Sequence, residues 1–282
     1  ALDQIFKNAP ALIATHCEDE STIQNNLSLF KEKYGNNLNA SHHPLIRSAQ
    51  GCYISSSKAI DLAKKHQTRL HILHISTEIE TALFENNIPL AEKMITAEAC
   101  VHHLYFCDQD YSELGNKIKC NPAIKSSKDR QAIIEALKSG KIDVVATDHA
   151  PHTLEEKNQP YLQAPSGLPL VQHSINIMLD FVKKGIFSLE DVINWMCHAP
   201  AVCFQIKDRG YIRPGYHADF ARLNFYEDNT ISDESLFYKC RWSPLSGKTL
   251  PGNIISTWAN GTLVYNEGLI LTNAGQRLKF AI

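Results

Sequence analysis

No apolar run in the 282 residues approaches the roughly 18 consecutive positions that a membrane-crossing helix requires. The opening residues lack the charged start and apolar core of a signal peptide. An excess of one charge is missing as well. The 28 Lys and Arg stand against 30 Asp and Glu, a net charge of -2. That balance gives no electrostatic case for a nucleic-acid partner or an anionic membrane surface. No C-x-x-C pair occurs among the eight cysteines (Cys17, Cys52, Cys100, Cys107, Cys120, Cys197, Cys203 and Cys240). A zinc ribbon is therefore disfavoured, and scattered thiols in a chain this long read as buried free cysteines in a reducing cytoplasm. With 44% hydrophobic and 21% charged residues the chain is globular, and long enough for one large core or two domains. An initiator Met is absent too, and a strand-like run follows Ala1 almost at once. The expectation is a fragment, a processed product or an incompletely recorded protein.

What is abundant is histidine, 13 in all, several at the ends of apolar runs. Strand-like runs are predicted at 11–15, 70–75, 94–97, 118–120 and 142–146, with helical patterns over 46–66, 77–86, 128–138, 169–184 and 189–198. Ser126 to Asp129 reads as an N-cap and Gly140 as a stop for the third helix. Such alternation argues for parallel strands with helical crossovers. After about Gly210 the texture changes to short strands at 218–223, 254–259 and 262–265, the last two joined by Asn260-Gly261 at hairpin spacing. The division expected is an α/β portion over 1–209 and a β-rich segment over 210–282.

Polar residues close the predicted strands in series: His16, His74, Glu98, Asn121 and Asp148. In parallel α/β folds the chemistry gathers at the C-terminal ends of strands. One such residue would mean little; the ordered series carries the signal. His71 and His74 are three apart, so on a strand they face opposite sides, and His74, nearer the end, is the candidate for the site. In Thr147-Asp148-His149-Ala150-Pro151-His152, an Asp beside imidazoles suits binding of a cation and shuttling of a proton. The plainer alternative is an Asp-capped turn followed by loop histidines. Lys157 in the same stretch reads as a solvated loop residue paired with Glu155 or Glu156. His102-His103 reads as structural; His42, His43 and His66 read as surface, and Trp195, Trp242 and Trp258 as core.

Together these residues resemble the dihydroorotases of the amidohydrolase superfamily. The 147–152 stretch with Lys157 is similar to a family signature, and His74-Ile75-Ser76-Thr77 to the end of its sixth barrel strand. Lys119-Cys120-Asn121-Pro122 resembles a substrate-binding turn, and Thr15-His16-Cys17-Glu18 falls in the family's order. The resemblance implies the second half of a metal-dependent (β/α)8 TIM-type barrel, followed by part of a small composite β-sandwich. It implies zinc in a binuclear centre, with His16 and His74 on one ion and Asp148 on the other as catalytic acid and base. Asn121, His152, Ser166 and Gly167 carry over as substrate-binding residues.

The small-molecule reaction implied is the reversible cyclisation of carbamoyl aspartate to dihydroorotate, in the cytoplasm, as a step of pyrimidine biosynthesis. A homodimer and an assembly with aspartate transcarbamoylase are both open. The family's His-x-His pair and bridging ligand are absent, and no H-x-H occurs in the chain. These elements are expected upstream of residue 1, which would leave this chain alone poorly active. Two other readings stand beside it: a hydantoinase, dihydropyrimidinase or allantoinase, and a non-catalytic scaffold.

Overall fold

Four apolar runs lie side by side in a computed structural model of the protein, which describes residues 1–281. They are β1 (Ile13–Thr15), β2 (Leu70–Ile72), β3 (Ile95–Cys100) and β4 (Val144–Ala146), all parallel in that order. Thr15 pairs with Ile72 and Ile72 with Ala97, so the strand ends lie level and the loops that follow them open on one side of the sheet. β2 and most of β3 are buried, whereas Ala14 of the outer strand β1 is exposed. This burial on both faces explains their continuous apolar reading, as expected of parallel strands.

Caps set the crossover helices. Ser48 accepts from the Gly51 amide and opens the helix Ala49–His66, so that Ile46 belongs instead to the single turn His43–Ile46. Ser126 and Asp129 form the reciprocal capping box of Ser127–Lys138, and Gly140 follows that helix at φ 76°. The predicted 77–86 helix shrinks to Glu78–Thr81. A helix without a predicted counterpart, Glu20–Tyr34, starts on the Asp19 cap.

One predicted strand does not form. Residues 118–120 follow a 3-10 turn at Gly115–Ile118 and pair with no strand. Their carbonyls are taken elsewhere: Lys119 O accepts from the Gly167 amide and from Lys157 Nζ, and Cys120 O faces His43 Nε2. The run is apolar because it is buried, not because it is extended. Asn121 thus sits on a loop and ends no strand.

Two compact units emerge. One comprises residues 1–174 with 232–246, and the other 175–231 with 247–282. Compactness thus groups residues 175–209 with the C-terminal strands.

The second unit carries an antiparallel sheet of β5 (Phe220–Thr230), β6 (Thr249–Ala259), β7 (Thr262–Asn266) and β8 (Leu269–Ile270). Asn260 and Gly261 adopt φ 51° and 80° between β6 and β7, which is what a two-residue hairpin turn of this hand demands. The helix Ser174–Lys183 docks on this sheet through Asn176, whose Nδ2 donates to the carbonyls of Pro251 (3.1 Å) and Gly252 (2.5 Å). Gly252 stands at φ 90°, which strains any other residue, and a Cβ there would also press on Leu179 Cδ1 at 2.5 Å. Phe181, Phe187 and Trp195 fill the core, with Phe187 edge-on to Trp195 at 4.9 Å. The predicted 189–198 helix is α-helical only over Leu189–Ile193 and widens to a π turn over Asn194–His198.

Trp195 and Trp242 are buried, and Trp258 is half-buried. All eight cysteines are free thiols. No helix among the described residues is long and apolar enough to cross a membrane.

Candidate metal and substrate site

Beyond β1 the chain delivers His16, and two residues beyond β2 it delivers His74. The rings meet edge to face, with His16 Nδ1 3.0 Å from His74 Nε2. His74 stands at φ 39°, and Asp148, two residues beyond β4, at φ 43°. Left-handed backbone is uncommon outside glycine, more so for His than for Asp, and such strain collects at functional sites. Here it turns both side chains out of the alternation of their strands.

Neighbours hold the pair in place. Glu18 Oε2 lies 3.0 Å from His16 Nε2 and also receives Arg47. A carboxylate can only accept, so Nε2 of His16 carries the proton and Nδ1 is bare toward His74. Burial alone would raise the Glu18 pKa, but the His16 hydrogen bond and the charges of Arg47 and Lys125 outweigh it and keep the carboxyl below its ordinary value. Glu98 lies within β3 and receives the His74 amide at 3.3 Å through Oε1 and His71 Nε2 at 3.1 Å through Oε2. His71 is completed by Thr96 Oγ1 at 2.8 Å, so it is packed and hydrogen-bonded while His74 turns to His16. Burial lowers the His74 pKa, aided by His16 and opposed by the negative charges of Asp148, Glu98 and Glu18.

These residues fit a metal ion. Two ligand nitrogens of one tetrahedral ion, at bonds near 2.0–2.1 Å, lie about 3.3 Å apart, close to the separation seen here. With Nε2 turned to an ion the His74 proton would lie on Nδ1, which is buried and meets no acceptor. Burial favours the neutral form of His74, which suits ligation, and the Asp148 carboxylate adds an oxygen donor close enough to act on that ring.

A second group of ligand atoms, from Cys100, His102 and His103, lies within 4.8 Å. Burial pushes the Cys100 thiol well above its ordinary pKa, and His103 Nε2 is engaged by the Pro122 carbonyl at 3.0 Å. A protonated thiol and a committed imidazole make this the poorer donor set.

The expected substrate-binding residues lie along one wall. His152 Nε2 donates to the Ser166 carbonyl at 3.2 Å, and the His152 carbonyl accepts from Trp242 Nε1 at 2.7 Å. Gly167 is at φ 145°, where a Cβ would stand 2.5 Å from Ala150 O and 3.1 Å from His152 Cδ2. Only glycine lets that strand-like segment approach the 148–152 loop, and Ala150 N donates to Leu168 O at 3.1 Å beside it. His149 turns aside, its Nδ1 accepting from the Leu170 and Val171 amides.

Two sequence expectations fail at this wall. Lys157 is not a solvated loop residue paired with Glu155 or Glu156. It is 1% exposed, and its ammonium donates to the carbonyls of Lys119, Pro165 and Gly167 at 2.9–3.0 Å. Lys119 Nζ likewise holds the Tyr161 and Ala164 carbonyls at 2.6 and 2.5 Å. Burial draws both ammonium pKa values down to about 8. His43 is not at the surface either, being 2% exposed with both ring nitrogens engaged. Neither was legible, because His43 opens the single turn His43–Ile46 and Lys157 ends the single turn Leu154–Lys157, both too short to show a period.

Replacing Lys157 by Met is expected to leave the Pro165 and Gly167 carbonyls unsatisfied, the Lys119 carbonyl keeping the Gly167 amide, and to lower unfolding free energy by about 2 kcal/mol or more. A urea titration of both proteins checks this, and an unchanged midpoint would contradict the clamp.

With this geometry in place, the comparisons define the class. The Amidohydrolase family profile matches residues 2–264, and the chain belongs to that family. Within it, the chain is similar to dihydroorotases: 32% identical over 269 residues to that of Bacillus caldolyticus, covering 94% of this chain and 61% of the relative. To that of Listeria innocua it is 33% identical over 280 residues, covering 94% and 62%. The chain therefore spans about 61% of the length of such relatives. In structure it is similar to an L-hydantoinase from Arthrobacter aurescens, with a TM-score of 0.89 and 24% identity over 96% of this chain and 61% of that one. A dihydropyrimidinase from Brevibacillus agri NCHU1002 gives 0.84 and 20%, over 94% and 59%. These likenesses show the amidohydrolase fold with its parallel α/β sheet.

Proposed function

We propose that this chain is part of a zinc-dependent dihydroorotase, a hydrolase of cyclic amides that also closes carbamoyl aspartate to dihydroorotate in pyrimidine biosynthesis. The observation that carries the reading is the convergence of His16 Nδ1 and His74 Nε2 at 3.0 Å beside a charge from Asp148. Supporting it is the identity of about 32% to dihydroorotases over 94% of the chain. In this reading β1 to β4 are strands of the second half of a (β/α)8 barrel, and the antiparallel sheet is part of a composite β-sandwich. The remaining ligands of a binuclear centre come from outside these residues, so the 282-residue chain alone has a catalytic centre that is incomplete.

His16 and His74 would hold one ion, and Asp148 would reach the other. The chemistry such ions supply is Lewis acidity, which polarises an amide carbonyl and lowers the pKa of water. Asp148 takes the proton of the attacking water on its carboxylate and returns it to the leaving ring nitrogen, one group serving both directions. His152 and Asn121 bind the anionic ring, and the backbone of Ser166 and Gly167 lines it. Neither a Ser nor a Cys nucleophile is needed, and Cys17 is a buried thiol next to Thr15.

Equilibrium dialysis against zinc tests the ligand assignment. Wild-type protein is expected to retain an ion that His16→Ala and His74→Ala each release, with circular dichroism unchanged. Full zinc retention in both variants would overturn it.

A further inference from the structure

His43 takes no part in the metal or proton chemistry, yet it is buried with both ring nitrogens engaged. Its Nε2 lies 2.9 Å from the Cys120 carbonyl and 3.1 Å from the Asn121 side-chain oxygen, and its Nδ1 lies 2.7 Å from the Tyr161 hydroxyl. A backbone carbonyl can only accept, so Nε2 carries the ring proton. The Asn121 atom that shares this proton must then be Oδ1, because an amide NH2 would present a second donor to it. Nδ1 is left bare and accepts from the Tyr161 hydroxyl. Burial holds the ring neutral, its pKa lowered to about 3, so no second proton disturbs the arrangement.

Tyr161 is fixed in turn. Its own carbonyl and that of Ala164 accept from Lys119 Nζ, whose ammonium also lies 4.4 Å from the Tyr161 ring centroid. Lys119, Cys120 and Asn121 are consecutive, so the lysine that anchors Tyr161 and the amide that His43 orients share one turn. The consequence falls on Asn121. With its oxygen turned to His43, its NH2 makes no hydrogen bond among the described residues and is the group left to meet a ligand.

We propose that His43 is a positioning residue that locks the Asn121 carboxamide with its NH2 free, so that this wall selects an acceptor, a carbonyl or carboxylate oxygen, on the substrate. The inference rests on the reading above that Asn121 contacts the substrate, and it adds which atom does so and why. A ring N–H presented at the same place would find a donor facing a donor, so the orientation distinguishes the edges of a cyclic amide.

The test has two parts, both on the natural full-length protein. Imidazole nitrogen NMR of histidine-labelled protein should show His43 as the Nε2–H tautomer without titration between pH 5 and 8. An Nδ1–H tautomer would overturn the inference, whatever the enzyme does. In steady-state kinetics with dihydroorotate, His43→Ala should raise KM about tenfold or more while kcat changes far less, the scale of one lost positioned hydrogen bond. His43→Gln, which returns an N–H near the Nε2 position, should recover most of that loss. Tyr161→Phe, which removes only the hydroxyl, should raise KM in the same direction and serves if His43→Ala does not fold. Unchanged KM in folded variants would overturn the positioning role. Absence of turnover by the zinc-loaded wild type would instead overturn the cyclic-amide reading, and with it the substrate named here, while the tautomer result would still stand on its own.

Discussion

Asp148→Ala is expected to lower zinc-dependent opening of a cyclic amide by about 10³-fold or more, within the range that a positioned general acid and base contributes. Two functions meet on this carboxylate in the proposed reading, since it donates an oxygen to an ion and carries the proton from water to the leaving nitrogen. Its backbone at φ 43° shows that the end of β4 is bent to place it. Asp148→Asn separates shape from charge: it keeps the size of the side chain, can donate from its amide, and cannot take a proton. The same large loss is expected, with the fold intact by circular dichroism. Because the carboxylate would supply an anionic oxygen donor to an ion in this reading, either variant should also weaken zinc retention. Activity above about a tenth of wild type in Asp148→Asn would contradict the assigned proton transfer.

Acid should destabilise the protein well before its carboxylates titrate. His43 and His173 are buried, and desolvation lowers their pKa values to about 3 and about 4 in the folded state. Unfolded, each returns to about 6.5. Between these limits the unfolded chain binds protons that the folded chain does not, so stability falls as pH falls. The contribution is complete above pH 6.5 and is lost on descending through the window, at about 1.4 kcal/mol per pH unit for each histidine. From pH 6.5 to 4.5 the two together cost about 5 kcal/mol, a large share of the stability of an ordinary domain. Glu80 works in the opposite direction, because burial raises its pKa and the folded state takes up its proton first. The paired measurement is therefore decisive. His173→Gln should flatten the slope of unfolding free energy against pH by about 1.4 kcal/mol per unit over this window, and an unaltered slope would contradict the burial argument.

Much of the candidate site was legible because its residues follow strand ends. His16, His74 and Asp148 were each found by counting from an apolar run, and the parallel sheet places the three runs in adjacent or next-adjacent positions. The hairpin at Asn260-Gly261 and the cap at Ser126 were equally local, as each needs only its own few residues. The helix Glu20–Tyr34 carries a thin stripe at helical spacing, Ile23, Leu27, Phe30 and Tyr34, but only Ile23 is buried and the rest of the sequence is polar, so the signal is faint. Residues 118–120 misled in the opposite way, since burial in a loop and burial in a strand look alike over three positions. Lys157 and Lys119 were beyond reach for a third reason: their partners are backbone carbonyls, which carry no sequence signal; those of His43, on Asn121 and Tyr161, lie 78 and 118 residues away. Lys157 gathers carbonyls from both the 119 turn and the 165–167 segment, and nothing in either stretch calls for a cation.

The most direct test of the account is ring opening of dihydroorotate by the zinc-loaded natural protein, with hydantoin and allantoin as parallel substrates. Opening of dihydroorotate alone, abolished by chelation and restored by zinc, is the predicted result. Metal-loaded protein that opens hydantoin or allantoin and leaves dihydroorotate intact, or that opens none of the three, would contradict it.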